Sequence, residues 1–141
     1  MNYLHLAYLH LATVIPAFLI GTFQLISPKG GGRHRTLGHI YMLLMLTTAI
    51  TALFMSATVG PVLLGHFGPI HVFSFLTLYA VPVAYFSAKK KNFRVHMRAM
   101  ILLYIGAIVI AGSFAFAPGR MLNQLVFDRQ IETEKTIISG K

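Results

Sequence analysis

The sequence of residues 3–26 is YLHLAYLHLATVIPAFLIGTFQLI, an apolar run that contains no Lys, Arg, Asp or Glu. A helix needs about 20 consecutive apolar residues to cross the hydrocarbon core of a bilayer, so this run is long enough. No basic residue precedes Lys29, whereas a cleaved signal peptide begins with a basic segment. The run therefore predicts a first membrane span.

Three more apolar runs follow, at about residues 36–59, 70–87 and 96–117, with short polar or Gly- and Pro-rich connections between them. Only helices and closed barrels can span lipid, and apolar runs of this length fit helices. Short connections make consecutive helices antiparallel neighbours. The pattern predicts an all-α integral membrane protein. It also predicts that residues 1–118 form an up-down-up-down bundle of four transmembrane helices. Residues 119–141 are expected to form an interfacial or extramembrane tail with a short surface helix.

The composition fits this fold class. Of 141 residues, 56% are hydrophobic and 11% charged, and the mean hydropathy is +0.71. The net charge is +9, but three of the twelve basic residues lie in 29–35 and five in 89–98, each between two apolar runs. This is the positive-inside pattern, which predicts that both basic segments are cytoplasmic and the N-terminus is outside. The expected partner is therefore the lipid bilayer, and nucleic acid is excluded.

Histidine is the residue type in the apolar runs that is best suited to form a metal or haem site. The chain has no cysteine, which excludes disulfides, thiolate metal sites and covalently attached c-type haem. Its three carboxylates all lie beyond residue 127. Seven histidines remain, and ionisable side chains at membrane depth usually mark a site. Imidazole ligates both transition metals and haem iron.

Under the predicted topology the histidines fall into two layers. The outer layer contains His5, His10, His66 and His71, and the inner layer contains His34, His39 and His96. Helical phase places His10 on one stripe with Ala17, Gly21 and Gln24, and His34 on another stripe with Gly38 and Tyr41. No two histidines on one helix have the spacing of a chelating pair, so any metal site must form between helices.

The first interpretation is that histidines from two helices bind haem b, which needs axial ligands and an apolar slot. The residues it assigns are an outer pair, His10 and His71; an inner pair, His96 with His39 or His34; and Gly21 and Gly38 beside the macrocycle. For the inner ligand on the second span, helical phase favours His34 and membrane depth favours His39. Both alternatives stay open at this point.

Two other interpretations compete with haem. In one, the outer histidines form a transition-metal site for Zn or Cu in a binding or transport accessory. Its ligands would be His5, His10, His66 and His71. In the other, the protein is a cofactor-free scaffold or assembly subunit, with histidines bonding headgroups or backbone. No HExxH motif or phosphate-binding loop occurs, so an electron-transfer or accessory subunit is favoured over a stand-alone enzyme.

The histidine motifs resemble a known family. They are His10 with Gly21 and Gln24, then HRTLGHIY at 34–41, HVFS at 71–74, HMRAM at 96–100 and PGR at 118–120. This pattern resembles the bacterial predicted membrane proteins of domain of unknown function 2306, up to about residue 127. The resemblance implies a small multi-span protein of the bacterial cytoplasmic membrane and brings no activity with it. The layout is similar to that of membrane cytochromes that hold haem b between four helices, which favours an electron-transfer module, beside a larger oxidoreductase or as a homo-oligomer.

Overall fold

The computed structural model describes residues 3–55, 68, 71–110 and 112–113, and that part is helical without strands. The elements are α1 (Tyr3–Ile26), α2 (Gly32–Leu53), α3 (His71–Lys89) and α4 (Phe93–Leu102), followed by a π-helical segment (Leu103–Ile110). Four helices are long and apolar enough to cross a membrane when α4 and the π-helical segment are taken together. The prediction of an all-α membrane fold with four helices is confirmed. The predicted tail, 119–141, lies outside the described residues.

The helix ends differ from the predicted spans where the chain leaves the apolar run. α2 begins at Gly32 rather than residue 36, and α4 begins at Phe93 rather than residue 96. The Asn92 side chain caps α4 by accepting the Val95 N–H at 3.4 Å. Hydropathy identifies only the part of a helix that lies in hydrocarbon, whereas the helix itself continues to its cap in the polar region.

α1 and α2 pack against each other in opposite directions. From one end to the other, the side chain of His10 lies at Thr48 and Thr51, Gly21 lies at the ring of Tyr41, and Gln24 reaches His34. Residue numbers therefore fall along α2 as they rise along α1. The predicted stripe of α1 forms this contact.

The remaining helices complete a ring. α2 also packs on α3, α3 packs on α4 and on the π-helical segment, and that segment returns to α1. The return contact includes Phe18 stacked on Tyr104, with ring centroids 6.2 Å apart. α2 and α4 therefore lie across the bundle from each other. The apolar core between the helices contains Ala17, Tyr41, Met45, Ala80, Val81, Leu103 and Ile108.

Large apolar side chains cover the outside of the bundle, as expected for helices that face lipid. Leu19, Leu43 and Tyr79 are each at least 60% exposed. The basic connections 29–35 and 89–98 lie at the same end, because His34 and His96, one from each connection, are in ring contact. We call this the basic end of the bundle. That it faces the cytoplasm stays a prediction of the positive-inside pattern.

Candidate histidine site at the basic end

His34 and His96 face each other across the basic end of the bundle. His34 lies in the first turn of α2 and His96 in the first turn of α4, and both are half-buried. Their ring centroids are 6.4 Å apart, and the ring planes are 82° apart. The structure therefore pairs two imidazoles from helices that are not neighbours in the ring of the bundle.

The ring of His96 is oriented by the backbone of α3. Its Nδ1 lies 2.8 Å from the Ala84 carbonyl oxygen. A carbonyl can only accept, so Nδ1 carries a proton, and in the neutral ring Nε2 presents its lone pair. Nε2 makes no hydrogen bond within the described part of the chain. A histidine that ligates a metal usually donates its other ring N–H to a carbonyl in the same manner.

His34 has an unsatisfied ring nitrogen. Its Nδ1 is buried and has no hydrogen-bond partner among the residues that the structure describes. Its backbone carbonyl accepts from Gln24 Nε2 at 3.2 Å, and Gln24 is itself buried. A buried polar atom without a partner is costly, so this nitrogen needs a partner from outside the described chain.

His39 lies on a different face of α2. It is exposed, its Nδ1 donates to the Arg35 carbonyl at 2.7 Å, and its ring contacts the ring of Tyr85 at 6.0 Å between centroids. Of the two alternatives on this helix, the structure places His34 rather than His39 against His96. Helical phase, not depth, identified the inward-facing residue.

The outer histidines bond to the backbone. The Nδ1 of His10 lies 3.1 Å from the Thr48 carbonyl and 3.3 Å from Thr51 Oγ1. His71 is 2% exposed; its Nδ1 accepts the Gly68 N–H at 3.1 Å, so its Nε2 donates to the Met55 carbonyl at 3.0 Å. Ligation of iron by His71 would therefore break one of these bonds.

The part of the chain that the structure describes contains no cluster of side chains that matches the predicted outer metal site. Within 3–55, 68, 71–110 and 112–113, no three His, Asp or Glu side chains come together as metal ligands. His5 is exposed at the start of α1. The prediction for His66 falls outside the described residues.

The two glycines assigned to the haem slot lie in close helix contacts. A Cβ on Gly21 would be 2.8 Å from ring carbons of both Tyr41 and Tyr104, and a Cβ on Gly38 would be 3.4 Å from Gln24 Nε2. Small residues at such positions let membrane helices approach closely. Any fit to haem therefore rests on the imidazole pair and not on these glycines.

Sequence reasoning missed two polar contacts between helices. Thr22 and Tyr104 hydroxyls lie 2.6 Å apart, joining α1 to the π-helical segment. The Thr48 hydroxyl donates to Thr13 Oγ1 at 2.8 Å, joining α2 to α1. Thr13 follows His10 by three residues, so the sequence alone could have placed both residues on the same face of α1. The partners on other helices follow only from the helix register.

Taken together, the four apolar helices make this chain a membrane protein that is helical over the described residues, with a histidine pair at one end. It belongs to the family described as predicted membrane protein (DUF2306), whose model matches residues 7–140, so the resemblance drawn from its histidine motifs is confirmed. No curated protein and no solved structure matches the chain.

Proposed function

We propose that this protein is an electron-transfer module that binds haem b, with His34 and His96 as the axial ligands. The observation that carries the proposal is the pair of rings, 6.4 Å apart, from helices across the bundle. Two imidazoles that share one metal, each with a nitrogen about 2.0–2.1 Å from it, have centroids roughly 5–6.5 Å apart. The observed separation lies in that range.

The donor set fits haem b. Both ligands are imidazoles on apolar helices, and the described residues contain no carboxylate. His96 is already oriented through Nδ1 by Ala84, so its Nε2 is the ligating atom. For His34 we assign Nε2 as the second ligating atom, which leaves its buried Nδ1 for another partner. When bound, haem supplies a one-electron carrier, and the protein contributes the ligands, their orientation and the apolar surroundings.

The proposal places one haem, at the basic end. It does not extend to an outer haem, which would need both His10 and His71 as ligands. Both ring nitrogens of His71 are already hydrogen-bonded to backbone groups. By the positive-inside rule, the basic end faces the cytoplasm of a bacterial inner membrane. A carrier near that surface fits a small subunit that exchanges electrons with a larger oxidoreductase or with a second copy of the chain.

The test compares haem content in three variants expressed with ample haem and purified in detergent. His34→Ala and His96→Ala are expected to lose most of their haem, because each removes one axial ligand. His39→Ala is the matched control: it lies on the same helix, is exposed and contacts Tyr85 rather than His96. The measurement is the pyridine haemochrome content per chain, with His39→Ala expected to equal the wild-type protein.

Two results would overturn the haem proposal. One is a wild-type protein without haem. The other is a His34→Ala or His96→Ala protein with the wild-type haem content. Elemental analysis of the same samples tests a different metal at this same pair, which is distinct from the outer zinc or copper site predicted from His5, His10, His66 and His71. Zinc or copper in haem-free wild-type protein, lost with either substitution, would make the pair a transition-metal site.

A further inference from the structure

Tyr41 carries a buried hydroxyl without a partner. The residue is 2% exposed, and its Oη makes no hydrogen bond to any residue that the structure describes. It lies near the middle of α2, where the surrounding lipid offers no bulk water. A hydroxyl in such a place is normally hydrogen-bonded, so we expect a partner from outside the described residues.

The second unsatisfied atom lies on the same face of α2. It is Nδ1 of His34, and residues seven apart return to nearly the same face of a helix. Within the described chain these two are the only buried side-chain atoms without a partner. Because both unsatisfied atoms lie on one face of α2, we expect that the same kind of partner bonds to both.

Gly38 lies between them on this face. It has no side chain, and the nearest atom to the place of its Cβ is Gln24 Nε2 at 3.4 Å. The Gln24 amide also donates to the His34 carbonyl. We call the strip formed by Gln24, His34, Gly38 and Tyr41 the Gly38 seam. Its polar side chains, those of Gln24, His34 and Tyr41, follow the contact between α1 and α2 inward from the basic end.

We propose that the Gly38 seam binds internal water, which pairs with the Tyr41 hydroxyl and with Nδ1 of His34. Water suits the seam because it is small and bonds to several polar partners at once. The two atoms belong to residues about two helical turns apart, roughly 10 Å along the axis, so more than one water is needed. The seam would bring water from the basic end to the middle of the membrane.

The water site does not rest on the haem proposal, and the two are compatible. If His34 ligates through Nε2, its Nδ1 is free to donate to water, which is a usual second partner of a ligating histidine. Tyr41 is not among the residues assigned to haem, so its unsatisfied hydroxyl does not depend on that assignment.

The test is radiolytic hydroxyl-radical labelling of the intact protein in lipid nanodiscs, with oxidation of each tyrosine measured by mass spectrometry. Water bound beside a buried side chain generates radicals there, so Tyr41 is expected to be oxidised despite its burial. Tyr104 is the comparison, because its hydroxyl is already 2.6 Å from Thr22 and its side chain is only half-buried, so burial alone would make Tyr104 the faster of the two to be oxidised. Gly38→Ala narrows the seam and is expected to slow the labelling of Tyr41 but not of Tyr104.

Labelling of Tyr41 no faster than Tyr104 would overturn the proposal, and so would a bound lipid-soluble molecule that shields Tyr41 from oxidation. A second measurement does not depend on Gly38→Ala folding. Removal of a hydroxyl without a partner leaves stability unchanged or raises it, whereas removal of a bonded one lowers it. Tyr41→Phe is therefore expected to lower the Tm, and the same is expected of Tyr104→Phe, whose hydroxyl bonds to Thr22. An unchanged or higher Tm for Tyr41→Phe would contradict the water site.

Discussion

Backbone carbonyls orient one histidine ring on each of α1, α2 and α4: Thr48 for His10, Arg35 for His39 and Ala84 for His96. Only the bond of His39 is local, because its carbonyl lies four residues earlier on the same helix. The other two carbonyls belong to neighbouring helices, so the orientation of those rings depends on how the helices pack. Helical phase predicted which histidines face inward, but not what their nitrogens meet.

One residue-scale prediction concerns the bond between Thr48 and Thr13. Thr48→Val removes the hydroxyl that donates to Thr13 and leaves the Thr48 carbonyl in place for His10. We expect a loss of about 0.5–1.5 kcal/mol in the free energy of unfolding, the usual size of a hydrogen bond between membrane helices. The measurement is reversible unfolding in mixed detergent micelles.

The control for Thr48→Val is Thr47→Val, one position away on the same helix. The Thr47 hydroxyl bonds to the Leu43 carbonyl within α2 and joins no other helix. Its loss is expected to change stability less than the loss of the Thr48 hydroxyl. Equal effects of the two substitutions would show that the contact between α1 and α2 is not stabilised by this bond.

At the scale of helices, the contact of α1 with its neighbours depends on Gly21. A Cβ there would lie 2.8 Å from the rings of Tyr41 and Tyr104, closer than such atoms approach. Gly21→Ala is therefore expected to push the helices apart and to lower the free energy of unfolding by about 1–3 kcal/mol, as overpacking does. The same unfolding assay measures it.

Gly112→Ala is the matched substitution for Gly21→Ala. No atom lies within 4 Å of the place where a Cβ on residue 112 would be. The free energy of unfolding of the Gly112→Ala protein is therefore expected to equal or slightly exceed the wild-type value. If both alanine variants were equally stable, Gly21 would not be a close-packing position.

The helices themselves could be predicted from hydropathy, because runs of about 20 apolar residues leave few other structures in lipid. Their ends could not, since Asn92 caps α4 outside the apolar run. The π-helical segment could not be predicted either. Its residues, LYIGAIVI, are as apolar as those of an α-helical span, and hydropathy does not distinguish the two backbones. Such segments often accompany functional sites.

At the scale of the whole molecule, the ring of helices brings both basic connections to one end. The chain has no native cysteine, so single cysteines report this directly. Gly31→Cys and Lys90→Cys are expected to react with an impermeant maleimide from the same, cytoplasmic side, because both residues are exposed in these connections. The measurement compares labelling in intact and in inverted membrane vesicles.

The control for this topology is Phe54→Cys, after the far end of α2, where the residue is 71% exposed. It is expected to react from the opposite side. Labelling of positions 31 and 90 from different sides would contradict the arrangement that places His34 against His96.

The pairing of the inner histidines is a property of the whole bundle. Composition and charge pattern predicted the membrane fold, and the histidine motifs predicted the family. Helical phase within α2 favoured His34 over His39, but the contact of His34 with His96 depends on how α2 and α4 meet across the bundle, which no single helix encodes.

The most direct test of the central claim is the reduced-minus-oxidised absorption spectrum of the detergent-purified wild-type protein, with a pyridine haemochrome count. The imidazole pair of His34 and His96 predicts a haem b spectrum with about one haem per chain. A colourless protein, expressed with ample haem and otherwise folded, would contradict the claim.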